Sequence, residues 1–240
     1  AMTALGATSI EWYDFFIYGT AAALVFPTLF FAEDMPRYAS LIASFSTFAV
    51  GFLARPVGGV VFGHFGDRVG RKAALVTALM MMGVATTLIG LLPSYEQVGP
   101  LAPLLLIFLR FVQGLAVGGQ WGGAMLLVTE NAPSNQRGFY GAFAQVGAPA
   151  GLVLANLAFL AVSGNLSDEA FMDWGWRVPF ISSVLLIGLS LYVQLKLEDT
   201  EAFKELAEAA SPAEAKPRSP VVQALKTYPR EIGLAAGSFL

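Results

Sequence analysis

Four ionisable side chains, Glu11, Asp14, Arg55 and Arg110, lie inside long apolar runs. A charge in such a place costs about 2.5–3.5 kcal/mol on insertion scales, and it persists where it pairs or lines a water-filled path. Glu11 and Asp14 are three residues apart and Tyr18 follows four residues later, so all three share one face of a helix. Two neighbouring carboxylates in a low-dielectric site do not both ionise cheaply, so one keeps a proton and the pair reads as a proton site. Asp14 is the stronger candidate of the two. Glu11 lies nearer the end of its run and also suits the headgroup region, where it would only help to start the helix. Arg55 sits about two turns from the end of its run, ahead of Pro56 and Gly58-Gly59. It can serve a substrate anion, pair with Asp14 across two helices, or snorkel to the surface. Arg110 lies about 12 Å or more inside its helix, too deep to snorkel.

The elements that position these groups are membrane-length. The chain of 240 residues is 56% hydrophobic and 13% charged, with a mean hydropathy of +0.64. A soluble domain carries about twice that share of charge. Six apolar runs, at about 10–31, 39–62, 73–92, 102–128, 139–162 and 177–195, each approach the ~20 residues that a ~30 Å hydrocarbon layer needs. The loops between them alternate. Residues 32–40, 93–100 and 163–176 carry Glu33, Asp34, Glu96, Asp168, Glu169 and Asp173, with Arg37 as their one basic residue. The other set carries Arg68, Arg71, Lys72 and Arg137, and Lys196, Lys204, Lys216, Arg218, Lys226 and Arg230 follow the last run. Lys and Arg are retained on the cytoplasmic side, so both ends of the segment are expected there, in the cell membrane.

Residues 1–195 therefore read as a six-helix transmembrane bundle, 196–230 as a cytoplasmic linker with two short helices, and 231–240 as the start of a seventh span. The chain opens almost inside its first span, which is not a secretory signal because it holds Glu11 and Asp14 and lacks a basic start. Small residues recur at four-residue spacing (Gly59/Gly63, Gly114/Gly118, Gly119/Gly123, Gly147/Gly151), as helices that approach closely in lipid require. Pro149 implies a kink in the fifth span. Met80-Met81-Met82 reads as lipid-facing filler, and His64 as a polar spacer in a solvated loop.

Between the second and third runs stands Gly63-His64-Phe65-Gly66-Asp67-Arg68-Val69-Gly70-Arg71-Lys72. It reads as a cytoplasmic loop whose glycines allow tight turns. A phosphate-binding glycine loop would need a preceding strand and a βαβ unit, and the flanks here are too long for that. The decamer resembles the loop signature of the major facilitator superfamily, G-x-L-A-D-R-x-G-R-[K/R], with Gly63, Asp67, Arg68, Gly70, Arg71 and Lys72 matching and Phe65 and Gly66 departing from it. Arg110-Phe-Val-Gln113-Gly114-Leu-Ala-Val-Gly118 resembles the fourth-helix motif R-x-x-Q-G-x-G of the same superfamily, with Val117 as an extra residue. Glu11-Trp-Tyr-Asp14-Phe-Phe-Ile-Tyr18-Gly19, Arg55-Pro-Val-Gly-Gly59, Gly118-Gly-Gln120-Trp-Gly-Gly123 and Trp174-Gly-Trp-Arg-Val-Pro-Phe180 narrow the likeness to its metabolite–proton symporter branch.

The resemblance implies an all-α membrane fold, the N-terminal six-helix bundle of a twelve-helix carrier built as a 3+3 inverted repeat. It implies proton-coupled symport of a small polar metabolite, an organic acid or osmolyte, by alternating access. Asp14 would carry the proton, Arg55, Arg110, Gln113 and Gln120 would face the cavity, and the decamer would latch the cytoplasmic side. Branch members often have Glu where Gln120 stands, so no carboxylate there joins in proton coupling; an amide can still bond substrate. The partners implied are a small-molecule substrate, protons, the lipid bilayer and a C-terminal six-helix half. A carrier of another branch or a channel are the alternatives, and saturable uptake against single-channel current steps separates the last. With no cysteine and one histidine, metal and disulfide sites are not expected, nor is a cofactor, a nucleic-acid partner or an enzyme activity.

The alternating loop charges generate a first prediction. Ser94→Cys is expected to react with an impermeant thiol reagent added outside cells, and Ser134→Cys only after permeabilisation. The reverse pattern would invert the orientation.

Overall fold

The computed structural model describes residues 2–69, 71–130 and 136–196. Among these every regular element is helical: α1 (Met2–Leu24), α2 (Phe26–Leu29), α3 (Arg37–Val69), α4 (Arg71–Gly90), α5 (Tyr95–Val98), α6 (Leu101–Glu130), α7 (Arg137–Ser163), α8 (Asp168–Ala170) and α9 (Arg177–Lys196), with a π-helical turn at Phe171–Gly175. Arg37–Gly66, Ala73–Gly90, Leu101–Gly119 and Gln145–Ser163 are long and apolar enough to cross a membrane. The helices α1 and α9, of 23 and 20 residues, reach about as far at 1.5 Å per residue. Gly70, the linker at 197–230 and the segment 231–240 lie outside the described residues, as do the side chains of Asp67, Arg71, Lys72 and Gln120.

Two boundaries differ from the sequence reading. The first run does not continue as one helix to 31: α1 ends at Leu24, and Pro27, at the start of α2, has no N–H to carry the ladder on. The decamer is not a loop either. Gly63 to Val69 extend α3, and Arg71 and Lys72 open α4, so the polar residues sit on helix ends around Gly70. His64 is accordingly half-buried on α3 and is no loop spacer. A helix satisfies its own backbone, so a charged segment beyond the apolar stretch has no need to unwind.

Glycine contacts organise the bundle. On α3 and α6 they interlock: a Cβ on Gly58 would run into the Leu115 carbonyl, one on Gly114 into the Gly51 carbonyl, and one on Gly118 into the Arg55 carbonyl. The pair α1 and α7 uses the same device, with Gly147 against Thr8 and Gly151 against Ser9, Trp12 and Tyr13. Lipid tails are as apolar as leucine, so this close approach supplies the helix–helix attraction. Gly63 is an exception to the expected pairing, because nothing lies within 4 Å of the place a Cβ would take.

At the end of the bundle where α1 passes into α2, Phe26, Phe30, Trp176 and Phe180 pack together, with the Trp176 ring centroid 5.9–6.0 Å from the other three. Next to it Arg177 Nη1 donates to the carbonyls of Gly90 and Leu92, both at 2.8 Å. That places a cation on the carbonyl-rich end of α4 and ties α9 to it. Tyr13 Oη donates to the Pro179 carbonyl at 2.9 Å and joins α1 to the same helix.

Gly114→Ala is therefore expected to destabilise the purified complete carrier by about 1–3 kcal/mol, as overpacking does. Gly63→Ala is expected to leave thermal stability unchanged or slightly raised. Equal effects from both would remove the glycine interlock as the organising contact.

Candidate functional site

A cavity of about 740 Å³ lies between α1, α3, α4 and α6. Its wall holds all four ionisable groups singled out from the sequence: Glu11, Asp14, Arg55 and Arg110. Trp12, Phe15, Phe52, Pro56, Val117 and Met82 make up its apolar part. Met82, expected to face lipid, is buried and lines this cavity instead, because α4 turns that face toward α6; of its neighbours, Met80 is the exposed one.

Arg110 and Asp14 are both buried, at 6% and 3% exposure, and do not touch. Side-chain hydrogen bonds join them. Arg110 Nη1 donates to Gln113 Oε1 (3.0 Å), Gln113 Nε2 donates to Thr86 Oγ1 (2.7 Å), and Thr86 Oγ1 donates to Asp14 Oδ2 (2.9 Å). Every link runs donor to acceptor from the cation toward the carboxylate, so the dipoles reinforce one another. Asp14 Oδ1 and Arg110 Nε have no hydrogen-bond partner. Of the options read from the sequence for Arg55, pairing with Asp14 is not formed; the two line one cavity, and Thr86 holds the acid.

The rest of the Arg110 charge rests on aromatic faces. Its guanidinium carbon lies 4.0 Å from the Tyr18 ring centroid and 4.7 Å from that of Phe48, within the reach of cation–π attraction. Tyr18 is held there by its hydroxyl, which bonds Thr47 Oγ1 at 2.5 Å. Thr47 gives its own proton to the Ser44 carbonyl, so Tyr18 is the donor. Gly51 matters here for its missing Cβ, which would meet Arg110 Nε at 2.9 Å. Arg55 is half-buried and stacks 4.4 Å above Phe52. Glu11 lies on the cavity wall one turn before Asp14, in the middle of α1 and not at its start.

Of the residues expected to form the pathway, Asp14, Glu11, Arg55, Arg110 and Gln113 line the cavity, and Tyr18 stands directly behind Arg110. Sequence reasoning passed over Thr86 and Phe48. Thr86 Oγ1 also stands 2.9 Å from the Met82 carbonyl of its own helix, the back-bond that threonines in apolar helices commonly make, so its residue type gave no sign of a second partner.

The chain matches the family model described as sugar (and other) transporter over residues 1–227. It is 54% identical to the inner membrane metabolite transport protein YhjE of Escherichia coli K12 over 208 residues, covering 87% of this chain and 47% of that protein. It is 47% identical to the shikimate transporter of the same organism over 229 residues, covering 95% of this chain and 52% of that protein. The inward-open xylose transporter XylE of E. coli superposes with a TM-score of 0.73 at 17% identity, over 98% of this chain and 53% of that one, a likeness that shows the fold alone. The chain thus spans about half the length of the curated relatives it matches. The family and these relatives are transporters, not enzymes, in line with the sequence expectation. The chain belongs to the sugar (and other) transporter family of the major facilitator superfamily, and its six long helices are the N-terminal bundle of that fold.

Proposed function

We propose that this chain forms half of a carrier that takes up a small polar metabolite together with protons by alternating access. The observation that carries the reading is the cavity wall itself, where a buried acid and a buried arginine face one space without touching. In this architecture the substrate binds between two halves near the bilayer midplane, and one half rocks against the other. Asp14 carries the proton. Arg55 and Arg110 offer positive charge to the substrate, and Gln113 and Gln120 offer amides. The motif residues Gly63, Asp67, Arg68, Gly70, Arg71 and Lys72 latch the cytoplasmic side.

Electrostatics supplies the coupling. Neutralising Asp14 removes one negative charge from a wall that keeps two arginines, so an anionic substrate binds more strongly once the proton is on. Linkage makes the effect mutual: bound anion then favours the protonated acid by the same factor. Organic acids are the first class to test, with shikimate as the first probe because one relative is named for it, and betaine as the second.

Asp14→Asn separates the two halves of this account in vesicles holding the complete carrier. Shikimate uptake driven by a pH gradient is expected to collapse, while exchange between preloaded vesicles and medium survives, because the loaded carrier still reorients. Loss of both would make Asp14 a structural or substrate-binding residue, and loss of neither would place the proton elsewhere. Arg110→Met is expected to abolish both uptake and exchange in a carrier that still folds: removing one member of a buried pair of charges costs about 3–5 kcal/mol where the other stays ionised, and Asp14 avoids that cost by taking up a proton. A severely unstable Arg110→Met carrier would make the arginine structural.

A further inference from the structure

Among the described residues the Asp14 carboxylate meets a single hydrogen-bond donor, the hydroxyl of Thr86, and its other oxygen meets none. Thr86 is fully buried on α4, a helix that the proposed symport otherwise uses only as wall. A hydroxyl has one proton and two lone pairs. Three neighbours compete for them: Gln113 Nε2 donates in at 2.7 Å, while Asp14 Oδ2 and the Met82 carbonyl both stand at 2.9 Å. Gln113 takes one lone pair in every state, so the rest can be shared in two ways. When Asp14 is ionised, Thr86 donates to Oδ2, and the Met82 carbonyl keeps the helical N–H of Thr86. When Asp14 is protonated on Oδ2, the acid donates into the free lone pair and the Thr86 proton turns to Met82. Both states are satisfied with the heavy atoms in place, and the change is a rotation about one C–O bond.

We propose that Thr86 is the positioning residue of the proton site, a hydroxyl that donates to ionised Asp14 and accepts from protonated Asp14. The inference rests on the proton-site reading of Asp14 given above. The charged groups around Asp14 are Glu11 one turn earlier on α1, Arg110 on α6 and Arg55 on α3 across the cavity. Each lies beyond hydrogen-bond distance of the carboxylate, so none of them replaces the hydroxyl. Serine keeps both roles of the hydroxyl, and valine keeps the shape and loses both.

The test needs no substrate. Infrared difference spectra between high and low pH are recorded on the purified complete carrier, wild type and with Asp14→Asn, Thr86→Ser or Thr86→Val. The carboxylic C=O band that Asp14→Asn removes belongs to Asp14. Thr86→Ser is expected to leave that band's frequency and pH midpoint in place. Thr86→Val is expected to raise the frequency, as for an acid without a partner, and to move the midpoint by about one pH unit, the difference between hydrogen bonds to charged and neutral acceptors. Thr86→Ala takes its place if the valine carrier is not monodisperse. An unchanged band in Thr86→Val, or one that shifts equally in Thr86→Ser, would overturn the role of Thr86 alone. If Asp14→Asn removes no band, the proton-site reading falls and takes this inference with it.

Discussion

Two opposite charges stand buried in the bundle and do not touch. Desolvating either ion costs several kcal/mol, which only an opposite charge or well-aimed hydrogen bonds can offset. In this chain the compensation is indirect. Gln113 and Thr86 stand between Arg110 and Asp14, each accepting on one side and donating on the other. Aromatic rings take up the remaining face of the guanidinium. A direct ion pair would be a tight contact that resists separation. A relay through two neutral side chains leaves both ions facing the cavity.

The glycine interlocks divide the charged groups between two helix pairs. Arg55 and Arg110 ride on the α3–α6 pair, where Gly118 meets the carbonyl of Arg55 itself. Glu11 and Asp14 ride on the α1–α7 pair, where Gly151 meets the backbone of Ser9 and Tyr13. Cations and acids thus sit on different interlocked pairs. The relay crosses between the two pairs through α4, which Arg177 holds about one turn beyond Thr86.

Much of the arrangement was legible before any coordinates. Intramembrane charges are costly unless they pair or line a water-filled path, and Asp14, Arg55 and Arg110 line one cavity. Four-residue glycine spacing correctly marked Gly114/Gly118 and Gly147/Gly151 as contacts. It failed at Gly63, because spacing reports a helical stripe and says nothing of whether a neighbour covers it. The decamer was misread as a loop for a similar reason: charge density locates water, and a helix can run on into water. Thr86 went unremarked and Met82 was read as lipid-facing because a threonine or methionine in an apolar helix has the same pattern whether it faces lipid, a neighbour or a cavity. Only the rotation of α4 against α6 separates those cases, and that is a property of packing.

The central claim is that protonation of this site and substrate movement are one coupled event. The proton-to-substrate ratio measures that most directly. Vesicles holding the complete carrier are given opposed substrate and pH gradients with the membrane potential clamped at zero, and the condition of no net flux is sought. One proton per substrate means that a tenfold substrate gradient is balanced by about one pH unit, each being worth about 1.4 kcal/mol. The account expects that balance point. A substrate gradient that runs down at the same rate whatever the pH difference would contradict it.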